Sequence, residues 1–366
     1  MRELGVLGLP RRNSSKAAPY QSSSTIVQLG SPPVHLNYWN LRRLLTFLLL
    51  LALAFGGWLA WGVLTPVAPG GQKFVLLKSG STTRKIASEL KAAGVIRSEK
   101  AFLVWHYFHR KRSLKAGEYL FEKPATAIEV HNRLARGDIY THTVVIPEGF
   151  TMFDVAQAIE QAGLGSKDDF LKVVRDDAPL IHDLAPEATT LEGYLFPDTY
   201  EFTRTQSLQD IATVMVHHFR EVANAIGLKE DVPHTVTMAS IVEKETAVPE
   251  ERSMVASVYY NRLSKRMALD ADPSVIYAEL LANTYQGALH HDDLATKSLY
   301  NTYRNPGLPP GPIANPGRSS LEAAMHPALS DYLYFVSDGN GHHRFARSLE
   351  EHNRNVSAFR RTMHRP

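Results

Sequence analysis

The sequence predicts an α+β protein with a single apolar helix near its N-terminus. Strand-like runs such as residues 73–77 and 141–148 are each followed by segments with the apolar spacing of helices. One long uncharged apolar run, Leu44–Leu64, precedes them. The 366 residues include no cysteine, so packed cores and not disulfides must stabilise the fold.

The run Leu44–Leu64 predicts a membrane-spanning helix. At about 1.5 Å per residue, its 21 residues cover roughly the 30 Å hydrocarbon core of a bilayer. The run is too long and begins too late for a cleaved signal peptide, and no small-residue cleavage site follows it. Trp39 before the run, and Trp58 and Trp61 near its end, suit the two membrane interfaces. We expect an uncleaved anchor.

Basic residues predict the orientation of this anchor. Six arginines and lysines precede it, whereas the first basic residue after it is Lys73. The positive-inside rule therefore predicts that residues 1–43 form a polar, serine-rich cytoplasmic tail and that the chain beyond residue 64 is extracytoplasmic. The formal net charge of +3 is small and dispersed, so nucleic acid is not an expected partner.

Two stretches beyond the anchor, residues 80–94 and 149–163, are similar to each other. They align without a gap at an offset of 69 and share five identical residues. Each follows a strand-like run and predicts a short helix with a threonine N-cap, Thr82 in one and Thr151 in the other. The pattern fits a repeated strand-helix-helix unit, and it fits equally well two generic units that share capping residues by chance.

The segment 237–252 predicts a helix in which one glutamate faces inward. At about 100° per residue, Glu243 and Glu245 point to nearly opposite sides, and Glu245 lies within the apolar stripe of Met238 and Ile241. An ionised group on an inward face is costly without a partner. We expect Glu245 in a pocket wall and Glu243 either solvated or paired with a nearby base. Taken alone, an inward glutamate is more often a structural acid than a catalytic one.

From residue 191 onward, six motifs follow one another along the chain: "LEGYLFPDTYEF", "ASIVEKET", "VASVYYNRL", "LDADPSVIYA", "YNTYRNPGLPPGPIANPG" and "YLYFVSDGNGHHRF". This set resembles the endolytic murein transglycosylases of the YceG-like family, and the resemblance extends from about residue 73 to the C-terminus. It implies non-hydrolytic cleavage of peptidoglycan between N-acetylmuramic acid and N-acetylglucosamine. That reaction leaves 1,6-anhydro-muramic ends and would terminate the elongation of nascent glycan strands.

The resemblance also implies a domain order, a catalytic residue and partners. A linker at residues 65–72 would precede a LysM-like region with two strand-helix units at residues 73–176, and the catalytic domain would occupy residues 177–366. Glu245, in "EKET", matches the catalytic glutamate of the family. The implied partners are peptidoglycan glycan strands and the synthases that polymerise them, at the outer side of the cytoplasmic (inner) membrane.

The implied reaction explains why a carboxyl group should face a pocket. A glycosidic oxygen must be protonated before it leaves, and burial raises the pKa of a carboxyl group so that it keeps its proton. One glutamate suffices when the substrate's own C6 hydroxyl attacks.

Two alternatives to this function remain. A muramidase-type hydrolase needs a second carboxylate, for which Asp198 and Asp272 are the candidates. Both positions also suit acids that stabilise turns or cap helices, and we favour this structural role. The other alternative is a non-catalytic, membrane-anchored glycan-binding scaffold, which would not require an inward Glu245.

A stiff loop is the expected substrate-binding element. Eight proline and glycine residues lie between positions 306 and 317, so this loop has little conformational freedom to lose. Asn301 and Tyr303 at its entry are the candidate substrate-binding residues, because both side chains hydrogen-bond sugar groups and tyrosine packs against sugar faces. The alternative is that both residues only fix the loop.

Two pairs of adjacent histidines, at 290–291 and 342–343, suggest a metal site at first sight. Adjacent side chains diverge, and no His-x-x-x-His or comparable ligand spacing accompanies them. We therefore expect neither a metal nor a cofactor. The sequence "SDGNGHH" instead predicts a hairpin turn.

The orientation of the anchor can be tested in cells. A reporter that is active only outside the cytoplasm, fused after Pro366, should be active, because the basic residues lie before Leu44. A reporter that is active only in the cytoplasm is the matched control and should be silent. Activity of the cytoplasmic reporter would place the chain in a compartment without peptidoglycan and would contradict the implied function.

Overall fold

The structure is a computed structural model that describes residues 38–363, and most of the predicted tail, residues 1–37, lies outside the described residues. Helix α1 (Tyr38–Leu64) contains the predicted span Leu44–Leu64. Within residues 38–363 it is the one helix long and apolar enough to cross a membrane. Its side chains are exposed between residues 44 and 55, which suits a surface that contacts lipid.

Residues 58–139 share one hydrophobic core. Its elements in chain order are β1 (Lys73–Leu77), α2 (Thr83–Ala92), α3 (Glu99–Phe108), β2 (Gly117–Phe121) and α4 (Ala127–Arg136). Strands β1 and β2 pair antiparallel with Val75 opposite Tyr119, and apolar side chains of the three helices pack with them. The last turns of α1 join this core through Val63, which is buried.

The elements after α4 build a second, larger core. They are β3 (His142–Val145), α5 (Met152–Gln161), α6 (Lys167–Asp176), β4 (Thr199–Phe202), α7 (Leu208–Ala225), α8 (Val232–Glu245), α9 (Arg252–Ser264), α10 (Asp272–Ala282), α11 (Arg318–Met325), β5 (Tyr334–Ser337), β6 (His343–Ala346) and α12 (Leu349–Met363). Strands β3 and β4 pair antiparallel, and β5 and β6 form the predicted hairpin. The predicted mixture of helices and sheet is thus confirmed.

The break between the two cores does not coincide with the predicted boundary after residue 176. Buried residues of the first core end at Leu134, and those of the second begin at Val144. The sequence assigns β3, α5 and α6 to the first region, but all three pack in the second core, where β3 pairs with the distant β4. Strand pairing depends on packing against distant neighbours, which local sequence does not report.

The two similar stretches have the same order of elements. Strand β1 and helices α2 and α3 correspond to β3, α5 and α6, and α5 begins and ends 69 residues after α2. Thr82 and Thr151 are the N-caps, as predicted, and each hydroxyl accepts a hydrogen bond from the backbone N–H three residues later. The two units nevertheless contribute to different cores and pair with different strands.

One buried carboxylate connects the two cores. Glu118 on β2 is almost fully buried, and its oxygens lie 2.7 Å from His142 Nε2 and 3.0 Å from Arg204 Nη1. His142 begins β3 and Arg204 follows β4, so both partners come from the second core. The backbone N–H of Tyr140 also donates to the carbonyl of Glu118. These bonds join the first sheet to the second.

Removal of this carboxylate should weaken the connection between the cores. We expect Glu118→Ala to destabilise the protein by about 1–3 kcal/mol, because two donors lose their acceptor. Thermal unfolding measures the loss, and limited proteolysis should cut faster between residues 137 and 141. Glu122→Ala, at an exposed position just after the same strand, is the matched control and should unfold like the wild type. Equal stability of Glu118→Ala would contradict the connecting role.

Candidate active site

A cleft of about 390 Å³ opens beside the C-terminal end of α8. Its walls come from α8, α9 and α10, the entry to the Pro/Gly-rich loop, strand β5 and helix α12. The lining combines acids, one arginine, one histidine and aromatic or aliphatic side chains: Glu245, Tyr259, Arg262, Leu269, Asp270, Asp272, Tyr303, Tyr334, Phe335, Leu349 and His352. Such a mixture suits a polar ligand that presents ring faces.

Glu245 is the last residue of α8 and lies in the wall of this cleft. Its side chain is partly exposed there, and its Oε1 accepts a 2.7 Å hydrogen bond from the hydroxyl of Tyr259 on α9. Tyr259 is itself buried, so its position is set by packing. The hydrogen bond therefore holds the carboxyl group of Glu245 in one orientation.

The environment of Glu245 keeps this carboxyl group protonated. Burial raises its pKa to about 7, the Tyr259 hydrogen bond opposes the rise, the negative charge of Asp272 adds to it and Arg262 opposes it. The carboxyl end of α8 also carries the negative end of the helix dipole, which disfavours a carboxylate. Near neutral pH, Glu245 can therefore donate a proton.

The side chain of Glu243 is only 5% exposed, so the expectation of a solvated side chain is wrong. Its Oε1 lies 3.0 Å from Arg252 Nη2, and its Oε2 accepts a 3.0 Å hydrogen bond from the Gly317 N–H. The alternative role, pairing with a nearby base, is confirmed. The reason is that α8 packs against α9, α10 and α11, so the face opposite Glu245 is also interior.

The two residues at the loop entry differ in accessibility. Asn301 is fully buried, and its amide nitrogen donates to the carbonyls of Leu294 and Thr296 at 3.0 and 2.8 Å. Its side-chain oxygen accepts the N–H of Tyr303 at 3.0 Å. This geometry favours the alternative in which Asn301 fixes the loop. Tyr303 instead lines the cleft, where its hydroxyl donates to Asp272 at 2.7 Å.

The two candidate second carboxylates lie in different places. Asp198 is 2.7 Å from His218 Nε2 on α7 and does not line the cleft, in accordance with a structural role. Asp272 is the first residue of α10 and lines the cleft together with Glu245. Ala271 is the N-cap of α10, and no side chain caps this helix. Asp272 therefore does not cap the helix through a side-chain hydrogen bond, although as an acid of the first turn it lies at the positive end of the helix dipole.

Sequence reasoning missed two residues of α9. Tyr259 bonds Glu245, and Arg262 lies 3.3 Å from Asp270 and 5.1 Å above the ring of Tyr334. The two residues are three positions apart, so they share one face of a helix. The motif "VASVYYNRL" contained this spacing, and it could have identified the face of α9 that meets the cleft.

The histidine pair of the hairpin contacts an acid. His343 Nδ1 lies 2.7 Å from Glu251, and His342 Nδ1 lies 3.1 Å from the same carboxylate. In the part of the chain that the structure describes, no group of three or more histidine, aspartate or glutamate side chains is arranged to hold a metal ion. The contacts join the hairpin β5–β6 to the segment before α9.

Comparison with known proteins places this arrangement in a family. Residues 75–358 match the YceG-like family, and this range contains most of the first core, the whole second core and the whole cleft. The chain belongs to the YceG-like family. It is 36% identical over 327 residues to a Bacillus subtilis (strain 168) protein named endolytic murein transglycosylase, which covers 82% of this chain and 90% of that protein.

Two further relatives of this YceG-like chain extend the comparison. A Streptococcus pneumoniae (serotype 2, strain D39) protein, also named endolytic murein transglycosylase, is 31% identical over 355 residues, 86% of this chain and 64% of that protein. A 2.6 Å crystal structure of a yceG-like protein from Listeria monocytogenes is 36% identical. It has a TM-score of 0.51 and covers 77% of this chain and 98% of that chain.

The raised pKa of Glu245 predicts how the stability of the protein depends on pH. The pKa rises from an ordinary 4.5 to about 7 on folding, so the protonated side chain contributes stability below pH 4.5 that is lost as pH rises through 7. Glu245→Gln cannot ionise and should escape this loss. Relative to the wild type, we expect the variant to gain up to about 3 kcal/mol between pH 4.5 and 8.

Thermal unfolding of both proteins at several pH values measures this difference. Glu250→Gln, at an exposed position a few residues away, is the matched control and should follow the wild type at every pH. A constant difference between Glu245→Gln and wild type across this range would show that Glu245 does not change its protonation preference on folding.

Proposed function

We propose that this protein is an endolytic lytic transglycosylase that cleaves peptidoglycan glycan strands between N-acetylmuramic acid and N-acetylglucosamine. The observation that carries the proposal is a single carboxyl group, Glu245, held with a pKa of about 7 in a cleft with aromatic walls. Membership of the YceG-like family and the names of its relatives support the same reaction.

In the first step Glu245 is the general acid. It donates its proton to the glycosidic oxygen as the bond from that oxygen to C1 of the muramic sugar breaks, and the leaving sugar keeps this proton. Tyr259 holds Oε1, so the other carboxyl oxygen is the one available to the substrate. A pKa near 7 suits the donor, because a stronger acid would already have lost its proton.

In the second step Glu245 is the general base. The C6 hydroxyl of the same muramic sugar attacks C1, and the ionised Glu245 accepts the hydroxyl proton. One bond to C1 breaks, one forms, and the enzyme regains its proton without consuming water. Because the attacking hydroxyl belongs to the substrate, its effective concentration is very high, and no nucleophilic side chain is required.

The aromatic walls would hold the glycan. Tyr334 and Phe335 on β5 and Tyr303 at the loop entry line the cleft, and aromatic rings pack against sugar faces. The loop is anchored by the buried Asn301, so its binding groups lose little freedom when a strand binds. The cleft is therefore preorganised to bind a polymer of sugar rings.

The proposal includes a location at the cytoplasmic (inner) membrane. Helix α1 would serve as an uncleaved single span with the N-terminus in the cytoplasm, supported by its length, its apolar character and the basic residues before it. The LysM-like region that the family resemblance implies at residues 73–176 is proposed for its first-core part, residues 73–139, where β1 and β2 pair antiparallel and share a core with α2 and α3. The peptidoglycan synthases would be the partners at this location.

A muramidase-type hydrolase is the second candidate. The observation that favours it is Asp272, a second carboxylate in the same cleft as Glu245. The two reactions differ in the product, because a hydrolase adds one water to each cleaved bond whereas a transglycosylase forms an anhydro ring. Mass spectrometry of products from purified glycan strands therefore distinguishes them. A scaffold without turnover would release no product at all.

Two variants on α8 test the role of Glu245. Glu245→Gln keeps the size of the side chain but has no proton to transfer, so anhydro-muramic product should fall by at least about 10²- to 10⁴-fold. Glu243→Gln is the matched control, two residues away, and should retain most activity per folded molecule, because Glu243 bonds only protein groups. Product is measured by mass spectrometry, and folding by thermal unfolding.

Two results would contradict this assignment. Full activity of Glu245→Gln would remove the acid from the mechanism. An inactive Glu243→Gln with wild-type unfolding would mean that the catalytic side of α8 is the one that faces Arg252.

A further inference from the structure

Two acids besides Glu245 line the cleft, and they differ in their partners. Asp270 lies 3.3 Å from Arg262 Nη1, so a cation balances its charge. Asp272 accepts a hydrogen bond only from the neutral hydroxyl of Tyr303, at 2.7 Å, and no lysine, arginine or histidine among residues 38–363 forms a salt bridge with it. Asp272 is exposed at the cleft, so its negative charge faces the cleft with no cationic side chain paired to it.

We propose that Asp272, held by Tyr303, is the electrostatic partner of Glu245 and stabilises the positive charge that develops at the anomeric carbon during cleavage. This proposal rests on the proposed transglycosylase function and adds a second catalytic residue to it. Cleavage of a glycosidic bond passes through an oxocarbenium-like transition state, and a negative charge held beside the reacting carbon lowers the energy of that state. Asp272 forms no covalent bond and transfers no proton.

The fold holds Asp272 and Tyr303 together from two distant segments. The N–H of Ala271 donates to the hydroxyl of Thr302 at 3.0 Å, and Ser274 Oγ lies 2.9 Å from the same oxygen. Thr302 and Ser274 are both buried. Each of the two segments is therefore fixed one or two residues from the pair, and the carboxylate needs no rearrangement when the substrate reacts.

The segment before α10 is also held by hydrogen bonds. Arg262 donates to the carbonyls of Ala268 and Leu269 at 3.2 and 2.8 Å, and Asp270 has a φ of +49°, in the left-handed region that non-glycine residues rarely adopt. Backbone strain of this kind is retained where the surrounding contacts enforce it, and it occurs often at functional sites. Here the strained Asp270 pairs with Arg262, whereas Asp272 pairs with Tyr303.

The charge of Asp272 also acts on Glu245. A negative charge nearby disfavours ionisation of the acid, and Asp272 adds to the raised pKa of Glu245. One carboxylate thus has two effects: it helps Glu245 to retain its proton before cleavage, and it stabilises the cation during cleavage. The titratable groups that line the cleft with Glu245 are Tyr259, Arg262, Asp270, Asp272, Tyr303, Tyr334 and His352.

The test is a pH-rate profile of anhydro-muramic product from purified glycan strands with the full chain. For Asp272→Asn we expect kcat to fall by about 10²-fold with little change in KM, as when one preorganised charge-stabilising group is lost. The alkaline limb of the profile, set by Glu245, should move to lower pH because the neighbouring charge is gone. Asp272→Glu keeps that charge and should restore the limb and part of kcat.

Two further variants complete the experiment. Tyr303→Phe keeps the charge of Asp272 but removes its hydrogen bond, so kcat should fall by about 10-fold without a shift of the limb to lower pH. Asp198→Asn, the other candidate carboxylate, lies outside the cleft and should behave like the wild type.

Two outcomes would overturn the role of Asp272. One is a wild-type kcat and alkaline limb in Asp272→Asn. The other is a lower kcat with an unmoved limb and reduced thermal stability, which would indicate a structural role. A wild-type enzyme that releases reducing ends, or no product, would instead refute the transglycosylase function itself.

Discussion

The active site depends on the protonation of one carboxyl group. Burial and the charge of Asp272 favour the protonated form of Glu245, the Tyr259 hydrogen bond and Arg262 favour the ionised form, and the resulting pKa is about 7. A group with this pKa both donates and accepts a proton near neutral pH, which a mechanism with one glutamate requires. Helices α9 and α10 position these three neighbours, because α9 carries Tyr259 and Arg262 and α10 carries Asp272.

Burial by itself does not distinguish a catalytic acid from a structural one. Glu192 is more completely buried than Glu245, and burial raises its pKa to about 8, yet its oxygens accept the amide of Asn315 and a backbone N–H of α5. Both oxygens of Glu243 are likewise bound, by a guanidinium and by a backbone N–H. Glu245 differs because Tyr259 is its one hydrogen-bond partner among residues 38–363 and the carboxyl group still reaches an open cleft.

Local signals predicted the features that depend on neighbouring residues. The apolar run of α1, the threonine N-caps of α2 and α5 and the hairpin β5–β6 are all as expected, because each depends on residues a few positions apart. The helical period also put Glu245 on a side of α8 that meets a pocket. The same period failed for Glu243, because it assumes that a helix has one buried face, whereas every residue of α8 from 235 to 242 is buried.

The sequence by itself determined that a helix carries Glu245 inward, that a stiff loop follows and that an apolar helix precedes two similar strand-helix units. Only the tertiary structure decided which distant side chains share the cleft. It brought Asp272 into the same cleft as Glu245, left Asp198 outside that cleft beside His218 and buried Asn301 within its own loop. It also placed β3 in the second core through pairing with β4. The physical reason is that these outcomes depend on contacts between segments far apart in the chain, and side-chain spacing reports only on neighbours within a few residues.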